Sequence, residues 1–433
     1  MPRTRSLVHP VTITLDGEKI EAEAGEPVAA ALVAAGKTTI ARSPKFHRPR
    51  GPSCLRGACD GCLARVDETP NVMTCLVPAR EGMAIVTQNR LGPRDADLLR
   101  MTDWFFPDGM NHHELFAGIP GIQTIMQGFA RRVAGLGKLP TEALASRTAS
   151  RRKLDCVVVG AGPSGMAVAA HLVKAGRTVE VIDDKLAPGG GMTALGPKDA
   201  ARFDSIKKAF ASTGIRVRTQ TTAGAVYGKD LLVASETDGA EILEANAVIL
   251  ACGAHDGVPA FEGNDIPNVM SARAAGWLLA HGVVPAKRIA VVVSEGGGPF
   301  GEAYARAIGK AAKVQVVHGE PLAIRGTSKV KGVRVRSASG DGDVDADCVL
   351  IDAARSPAFE LCEQAGAVIV HEPRGFVVRP EEGGRIGGGY WASGEVCGTP
   401  FDPKAIDAEA QRVAASITGV ISAAAPFKAS PPR

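Results

Sequence analysis

The stretch LDCVVVGAGPSGMAVAAHLVKAGRTVEVIDDK, residues 154–185, decides the fold class of the larger part of this chain. Its apolar strand runs into three glycines in a GxGxxG spacing, Gly160, Gly162 and Gly165. A helix follows, and the next strand ends at Asp183. The glycines permit a tight turn, close approach of a pyrophosphate, and packing of the helix on the strand. The helix N-terminus offers N–H groups to phosphates, and an acid at the position of Asp183 holds ribose hydroxyls. The stretch predicts a dinucleotide site on a parallel α/β sheet.

Three further segments extend this pattern. They are LAPGGGM (186–192), the strand ANAVILACG (245–253), and GGYWASGEVCG (388–398). Together, over residues 154 to about 420, they resemble the two-dinucleotide-binding flavoprotein family. The resemblance implies FAD at the first glycine turn. Beside the turn glycines and Asp183, it implies flavin contacts from Gly190, Met192, Cys252, Gly253, Gly394 and Glu395. That family usually has Asp where this chain has Glu395.

A second glycine turn follows the strand KRIAVVV (287–293). Gly296, Gly298 and Gly301 repeat the GxGxxG spacing before another helix. By analogy with the same family, this inserted domain would bind NAD(P) or another adenine nucleotide. Glu295 puts a carboxylate near the expected phosphates, and the next strand ends at His318 instead of an acid or an arginine. A domain that is retained without a ligand therefore stays open as the alternative.

Four of the nine cysteines lie within residues 54–75, spaced C-x4-C-x2-C-x12-C: Cys54, Cys59, Cys62 and Cys75. A redox disulfide of the flavoprotein reductases would lie just after the first glycine turn, where this chain has no cysteine. Zinc favours two spaced pairs. The observed order is that of plant-type [2Fe–2S] proteins. We predict that these four cysteines ligate one [2Fe–2S] cluster, with zinc and inert thiols as alternatives.

The N-terminal segment suits such a cluster. Two alternating strands meet at Asp16-Gly17, a hairpin signal, and a short helix is predicted from Pro27. We expect a ferredoxin-like β-grasp domain here, followed by a two-dinucleotide-binding, Rossmann-type α/β flavoprotein fold. The predicted segments are a cluster domain (1–92), a connector (93–153), an FAD domain in two parts (154–270 and 376–425), an inserted nucleotide domain (271–375) and a flexible tail (426–433).

Composition excludes several classes of function. The 433 residues carry a net charge of +4, with no basic run interleaved with aromatics, so nucleic-acid binding is not expected. No stretch approaches eighteen apolar residues, so no membrane span is expected. The odd cysteine count and the lack of a signal peptide predict a cytoplasmic protein. Cys362 and Cys397 have no evident partner in the sequence.

A more specific resemblance rests on SPKFHRPRGPSC (43–54), RRVAGLGKLP (131–140) and the segment from ACGAHDG to AHGVVP (251–285). These segments are similar to the alpha subunit of heteromeric sarcosine oxidase and its relatives: opine oxidases, cyanide synthase, and proline and hydroxyproline dehydrogenases. The sarcosine oxidase chain continues into a folate-binding half that this sequence lacks, and its N-terminal domain looks cluster-less. Both differences favour the electron-transferring dehydrogenases.

The resemblance implies that amino-acid oxidation occurs on a separate flavin-bearing beta-type subunit, with further small subunits as an option. No catalytic residue can be named in this chain. Residues 189–192 and 252–255, which the resemblance places at the flavin, contain no arginine for a substrate carboxylate. We therefore expect an electron-transfer subunit of an amine or imino-acid oxidoreductase. A self-contained NAD(P)H-dependent reductase and a non-catalytic scaffold are the alternatives.

Overall fold

Two structural units share the chain in the computed structural model. The first comprises residues 1–144, 260–292 and 310–350, and the second comprises 145–259, 293–309 and 351–433. The structure describes residues 3–43, 46–88, 90, 92, 97–101, 121–122, 124–125, 148–235, 237–257 and 259–422. Most of the predicted connector and all of the predicted tail therefore lie outside the described residues.

The N-terminal part is a five-stranded sheet covered by one buried helix. Its elements are β1 (Pro10–Leu15), β2 (Glu18–Glu23), α1 (Val28–Ala34), β3 (Ala41–Arg42), β4 (Pro49–Arg50), β5 (Leu63–Val66), β6 (Thr69–Met73) and β7 (Ala84–Val86). The sheet order is β2-β1-β7-β5-β6, and β3 pairs with β4 in a separate two-stranded sheet. Asp16 and Gly17 form the predicted two-residue hairpin turn, both with positive φ.

The first glycine turn lies in the second unit, between a strand and a helix. The elements are β8 (Ser150–Val159), α2 (Pro163–Lys174), β9 (Val179–Ile182), α3 (Gly196–Ala200), α4 (Asp204–Ala211), β10 (Thr221–Tyr227), β11 (Asp230–Ser235), β12 (Gly239–Leu250) and β13 (Ala254–His255). Strand β8 pairs in parallel with β9 and β12. Parallel pairing brings the ends of β8 and β12 to the same edge of the sheet, where the glycine turn begins.

The middle of the chain alternates between the units. Its elements are β14 (Val269–Ser271), α5 (Ala272–Ala280), β15 (Arg288–Val293), α6 (Phe300–Ile308), β16 (Lys313–His318), β17 (Glu320–Arg325), β18 (Gly332–Ser337), β19 (Gly340–Asp345) and β20 (Cys348–Asp352). One sheet has the order β14-β20-β15-β16, and β17, β18 and β19 form an antiparallel sheet. The segment that carries α6 belongs to the second unit.

The C-terminal part returns to the sheet of β8. It contains β21 (Ser356–Pro357), α7 (Glu360–Gln364), β22 (Ile369–Glu372), β23 (Gly375–Val378), β24 (Arg385–Gly387), β25 (Tyr390–Ala392) and α8 (Pro403–Ser422). Strand β25 pairs in parallel with β12, and α8 packs against α2. Short 3-10 turns cover Leu98–Arg100, Gly190–Leu195, Ala201–Phe203, Glu382–Gly384 and Glu395–Cys397. Within the described ranges, no helix combines the length and the apolarity needed to cross a membrane.

Candidate cofactor sites

Residues 51–62, here called the cysteine loop, carry three of the four clustered thiols, and the fourth follows β6. Cys54, Cys62 and Cys75 are buried, and Cys59 is partly exposed. The thiols form two hydrogen-bonded pairs. Cys59 donates to Cys54, which lowers the pKa of Cys54 to about 5 and raises that of Cys59. Cys75 donates to Cys62, with the same directions: the pKa of Cys62 is lowered and that of Cys75 is raised.

Backbone geometry around these thiols suits an anionic cluster. The amides of Arg56 and Ala58 point at Cys54 Sγ from 3.4 and 3.3 Å, and such N–H groups stabilise thiolates and cluster sulfurs. Gly57 has a φ of +76°, which only glycine adopts without strain. A Cβ on Gly61 would collide with the carbonyl of Gly51. The conformation of the loop therefore depends on its glycines.

The four thiols do not form a preformed metal site. Across the part of the chain that the structure describes, no group of three or more His, Cys, Asp or Glu side chains lies close enough together to hold a metal ion. The donor set still fits a [2Fe–2S] cluster, because four cysteines in the plant-type order share one buried region with amides aimed at a sulfur. Ligation by these cysteines stays a prediction.

The three glycines of the first turn differ in what surrounds them. Gly160 has a φ of +103°, and a Cβ there would collide with the Ala251 carbonyl oxygen. A Cβ on Gly165 would collide with the Gly160 carbonyl, so helix α2 needs this glycine to approach its strand. Gly162 is different, because the nearest atom to its would-be Cβ is Gly190 Cα at 3.9 Å. The open face of Gly162 is where a pyrophosphate would approach.

Asp183 lies at the end of β9 and is 8% exposed. Its Oδ2 accepts the Ala161 N–H at 2.6 Å, and its Oδ1 accepts the Lys185 N–H at 2.8 Å. Burial raises the pKa of this carboxyl above its ordinary range. Asp183 therefore supports the glycine turn by hydrogen bonds. It lies where the sequence predicts an acid that binds the ribose hydroxyls.

The other predicted flavin contacts fall into two groups. Gly190 packs against Gly162, and Gly394 packs so tightly on Ser164, in the first turn of α2, that a Cβ would collide with its hydroxyl. Met192 is buried, and Cys252 and Gly253 directly follow Ala251 behind the turn. Glu395 is placed differently, because its carboxylate is engaged by an arginine that the sequence analysis did not single out.

That arginine is Arg355, whose Nε donates to Glu395 Oε1 over 2.7 Å. Its guanidinium lies 5.1 Å from the ring centroid of Phe300 and 5.8 Å from that of Phe401. The Phe401 ring in turn reaches to Gly191, in the PGGGM loop. An arginine therefore does lie beside this loop, contrary to what the loop sequences alone suggested, but its charge is paired with Glu395.

The second glycine turn also holds an acid that the sequence analysis missed. Asp352, the last residue of β20, accepts the Gly298 N–H at 2.9 Å and the Gly301 N–H at 2.7 Å. This residue is 4% exposed, and burial raises the pKa of its carboxyl. Glu295, the acid proposed from sequence to stand near the phosphates, is exposed. The sequence signal was available, since Asp352 closes the apolar run CVLID.

Cys362 and Cys397, which had no evident partner in the sequence, share a hydrophobic core with Cys252. Burial raises the pKa of Cys362 and of Cys397, so both are held as neutral thiols.

Comparison with known proteins agrees with this geometry. Residues 8–90 match the family model of a 2Fe-2S iron-sulfur cluster binding domain, and residues 154–330 match that of pyridine nucleotide-disulphide oxidoreductases. The sarcosine oxidase alpha subunit of Rhizobium meliloti is 29% identical over 65% of this chain and 32% of its own length. An opine oxidase subunit of Agrobacterium tumefaciens is 26% identical over 56% of this chain and 61% of its own length.

The chain is similar to these oxidase subunits. It spans about a third of the length of the sarcosine oxidase subunits that it matches. L-proline dehydrogenase from P. horikoshii has a similar structure, with a TM-score of 0.71 and 20% identity over 99% of this chain and 76% of that chain. The predicted fold class is confirmed: an N-terminal cluster-binding domain precedes a Rossmann-type flavoprotein fold. The matched domains also support FAD and a [2Fe–2S] cluster as the cofactors.

Proposed function

We propose that this chain is the electron-transfer subunit of a heteromeric, flavin-dependent amine or imino-acid oxidoreductase. Its substrate class would be that of sarcosine, proline, hydroxyproline or opines, which are related to the substrates in the names of its relatives. A separate flavin-bearing subunit would oxidise the substrate. When bound, FAD supplies two-electron chemistry and a [2Fe–2S] cluster supplies one-electron transfer.

The residues of this chain would hold those groups in two places. Cys54, Cys59, Cys62 and Cys75 would ligate the cluster, with the Arg56 and Ala58 amides supporting the negative charge at Cys54. The turn from Gly160 to Gly165 would receive the FAD pyrophosphate at the N-terminus of α2. Asp183 would meet the ribose while it braces the turn through Ala161.

One observation carries the assignment to an electron-transfer subunit. Binding of an amino-acid carboxylate against a flavin calls for a free cation, normally an arginine. Arg355, the arginine beside the PGGGM loop, is paired with Glu395, and the two side chains are 14% and 13% exposed. Its charge is already neutralised, so this site is a poor receptor for a substrate carboxylate. That argues for substrate oxidation on a partner subunit.

The test compares the isolated chain with the complex. The chain is purified alone and after co-expression with the flavoprotein encoded beside it, and both samples are assayed with proline, sarcosine and opines using an artificial acceptor. We expect turnover only in the complex, and both FAD and iron in the isolated chain. Turnover by the isolated chain at rates comparable to the complex would contradict the proposal. A chain that carries neither FAD nor iron would favour the scaffold alternative.

Two further assignments belong to the same proposal. The domain boundaries drawn from the sequence are kept, and each matched family segment begins within one of the predicted domains. A cytoplasmic location is also kept as part of the proposal, and it is consistent with the absence of disulfides among the described cysteines.

A further inference from the structure

The two glycine turns of this chain have matching sequences, GAGPSG at 160–165 and GGGPFG at 296–301. Each turn is backed by the residue that closes a strand. A Cβ on Gly160 would collide with the carbonyl of Ala251, and a Cβ on Gly297 would collide with the carbonyl of Asp352. Ala251 and Asp352 thus both lie at the end of a strand behind a glycine turn, Ala251 against the first residue of its turn and Asp352 against the second residue of its own.

The short strands that follow Ala251 and Asp352 also pair with each other. β13 and β21 pair antiparallel, with His255 opposite Ser356. Ala251 lies four residues before His255, and Asp352 lies four residues before Ser356. The residue at the end of the strand behind the first turn is therefore an alanine, and the one behind the second turn is an aspartate.

The two turns differ in what occupies their amides. Both Asp352 oxygens accept hydrogen bonds, one from Gly298 and one from Gly301. The corresponding amides of the first turn are those of Gly162 and Gly165. Within the described residues, no side chain accepts a hydrogen bond from either of these two amides. The acid of the first turn, Asp183, binds Ala161 and leaves them available.

The approach faces differ as well. The second glycine of such a turn is bare so that a pyrophosphate can come close to the backbone. Gly162 keeps that face open, with its nearest neighbour at 3.9 Å. At Gly298 the same face is covered, because a Cβ there would collide with the Arg355 guanidinium. Glu395 holds Arg355 in this place.

A phosphate binds at a helix N-terminus because free amides and the positive end of the helix dipole attract it. At α6 a buried carboxylate already takes both amides. An entering pyrophosphate would have to break the hydrogen bonds between Asp352 and these amides. Its negative charge would also be repelled by the Asp352 carboxylate, in a buried place where little water screens the repulsion. Its path along Gly298 would also require Arg355 to leave Glu395.

We propose that Asp352 acts as a built-in anion that closes the second glycine turn to the pyrophosphate of NAD(P)H. The first turn has an alanine, Ala251, behind it and no such carboxylate on the Gly162 and Gly165 amides, so it keeps its dinucleotide site. The inference rests on the proposed function, because it removes a nicotinamide nucleotide as the electron source and leaves the electrons to come from the partner subunit.

The test uses the purified, FAD-loaded chain and two reciprocal substitutions. NADH and ADP-ribose are titrated by calorimetry into the wild type and into D352A. For the wild type we expect no saturable binding up to about 1 mM, a dissociation constant that corresponds to about 4 kcal/mol of binding free energy. For D352A we expect the affinity to be at least about tenfold higher. In A251D, which places a carboxylate behind the first turn, we expect FAD affinity to fall at least about tenfold.

Two controls make every outcome informative. D352N keeps an acceptor oxygen for one amide, so it tests removal of the charge if D352A unfolds in circular dichroism. D402N changes another carboxylate that caps a helix, at α8, and should leave nucleotide binding as in the wild type. Tight NADH binding by the wild type overturns the inference, and so does unchanged binding in both Asp352 variants.

Failure here can be told apart from failure of the proposed function. If the wild type binds NADH but only the complex oxidises amines, the inference about Asp352 is wrong and the electron-transfer role stands. If the isolated chain oxidises amines while NADH still does not bind, the electron-transfer role is wrong and the closed turn stands.

Discussion

Arg355 donates from Nε to Glu395 Oε1 over 2.7 Å. Arg355 follows β20 and covers Gly298 of the second glycine turn, and Glu395 follows β25. Because both side chains are mostly buried, removing one partner leaves the other charge without compensation. We expect R355L to lower the free energy of unfolding by about 2 kcal/mol, measured by urea denaturation. The double variant R355L/E395Q should recover part of that loss. An unchanged unfolding midpoint in R355L would show that the pair contributes nothing to stability.

The cysteine loop gives a prediction about iron. C59S should lose most of the iron and the paramagnetic signal of the reduced cluster, because one of four ligands is removed. C397S, a cysteine in the other unit, should retain both. Iron analysis and electron paramagnetic resonance of anaerobically purified protein provide the measurements. Stoichiometric zinc in place of iron would contradict the assignment.

Close packing of the cysteine loop can be tested without touching a thiol. G61A places a methyl group against the Gly51 carbonyl, so the loop must shift and iron content should fall. G342A is the matched control, because nothing lies within 4 Å of its would-be Cβ and its φ is not positive. The control should load iron like the wild type. Equal iron content in the two variants would mean that the loop does not depend on this contact.

The first glycine turn separates folding from flavin binding. G162A adds a methyl group to an open face, so the apoprotein should unfold at the wild-type temperature while FAD affinity falls at least about tenfold, or about 1.4 kcal/mol. G165A should destabilise the apoprotein itself, because its methyl group meets the Gly160 carbonyl. Differential scanning fluorimetry and FAD titration measure the two effects. Full FAD affinity in G162A would place the pyrophosphate elsewhere.

Asp352 makes a pH-dependent prediction. Burial raises the pKa of its carboxyl in the folded state, so the folded chain holds this proton more tightly than the unfolded chain. Stability then falls as pH rises through the interval between the ordinary carboxyl pKa and the raised folded value. Relative to D352N, the wild type should be most stable below that interval and lose stability across it. Urea denaturation of both proteins at several pH values tests the sign. A difference that does not vary with pH would contradict a raised pKa.

Local features were predictable from the sequence because neighbouring residues set them. The turn at Asp16-Gly17 and the roles of Gly160 and Gly165 follow from spacing and from strand and helix signals. The pairs that define the second turn were not predictable in this way. Asp352 reaches Gly298 across 54 residues. The position of such an acid depends on where β20 ends beside the turn, which the spacing of the glycines does not contain.

The contact of Ser53 with Ser271 has a consequence for how the first unit unfolds. The Ser271 amide donates to the Ser53 carbonyl at 2.9 Å, beside Cys54, while the Ser271 hydroxyl caps α5 by accepting the Ala274 N–H. Opening of the cysteine loop would therefore break the hydrogen bond that holds Ser271, the residue that caps α5. The two segments, distant along the chain, should exchange their amide hydrogens as one cooperative element. Oxidative loss of a cluster would then speed amide exchange in α5, a helix that contains none of the cluster's ligands.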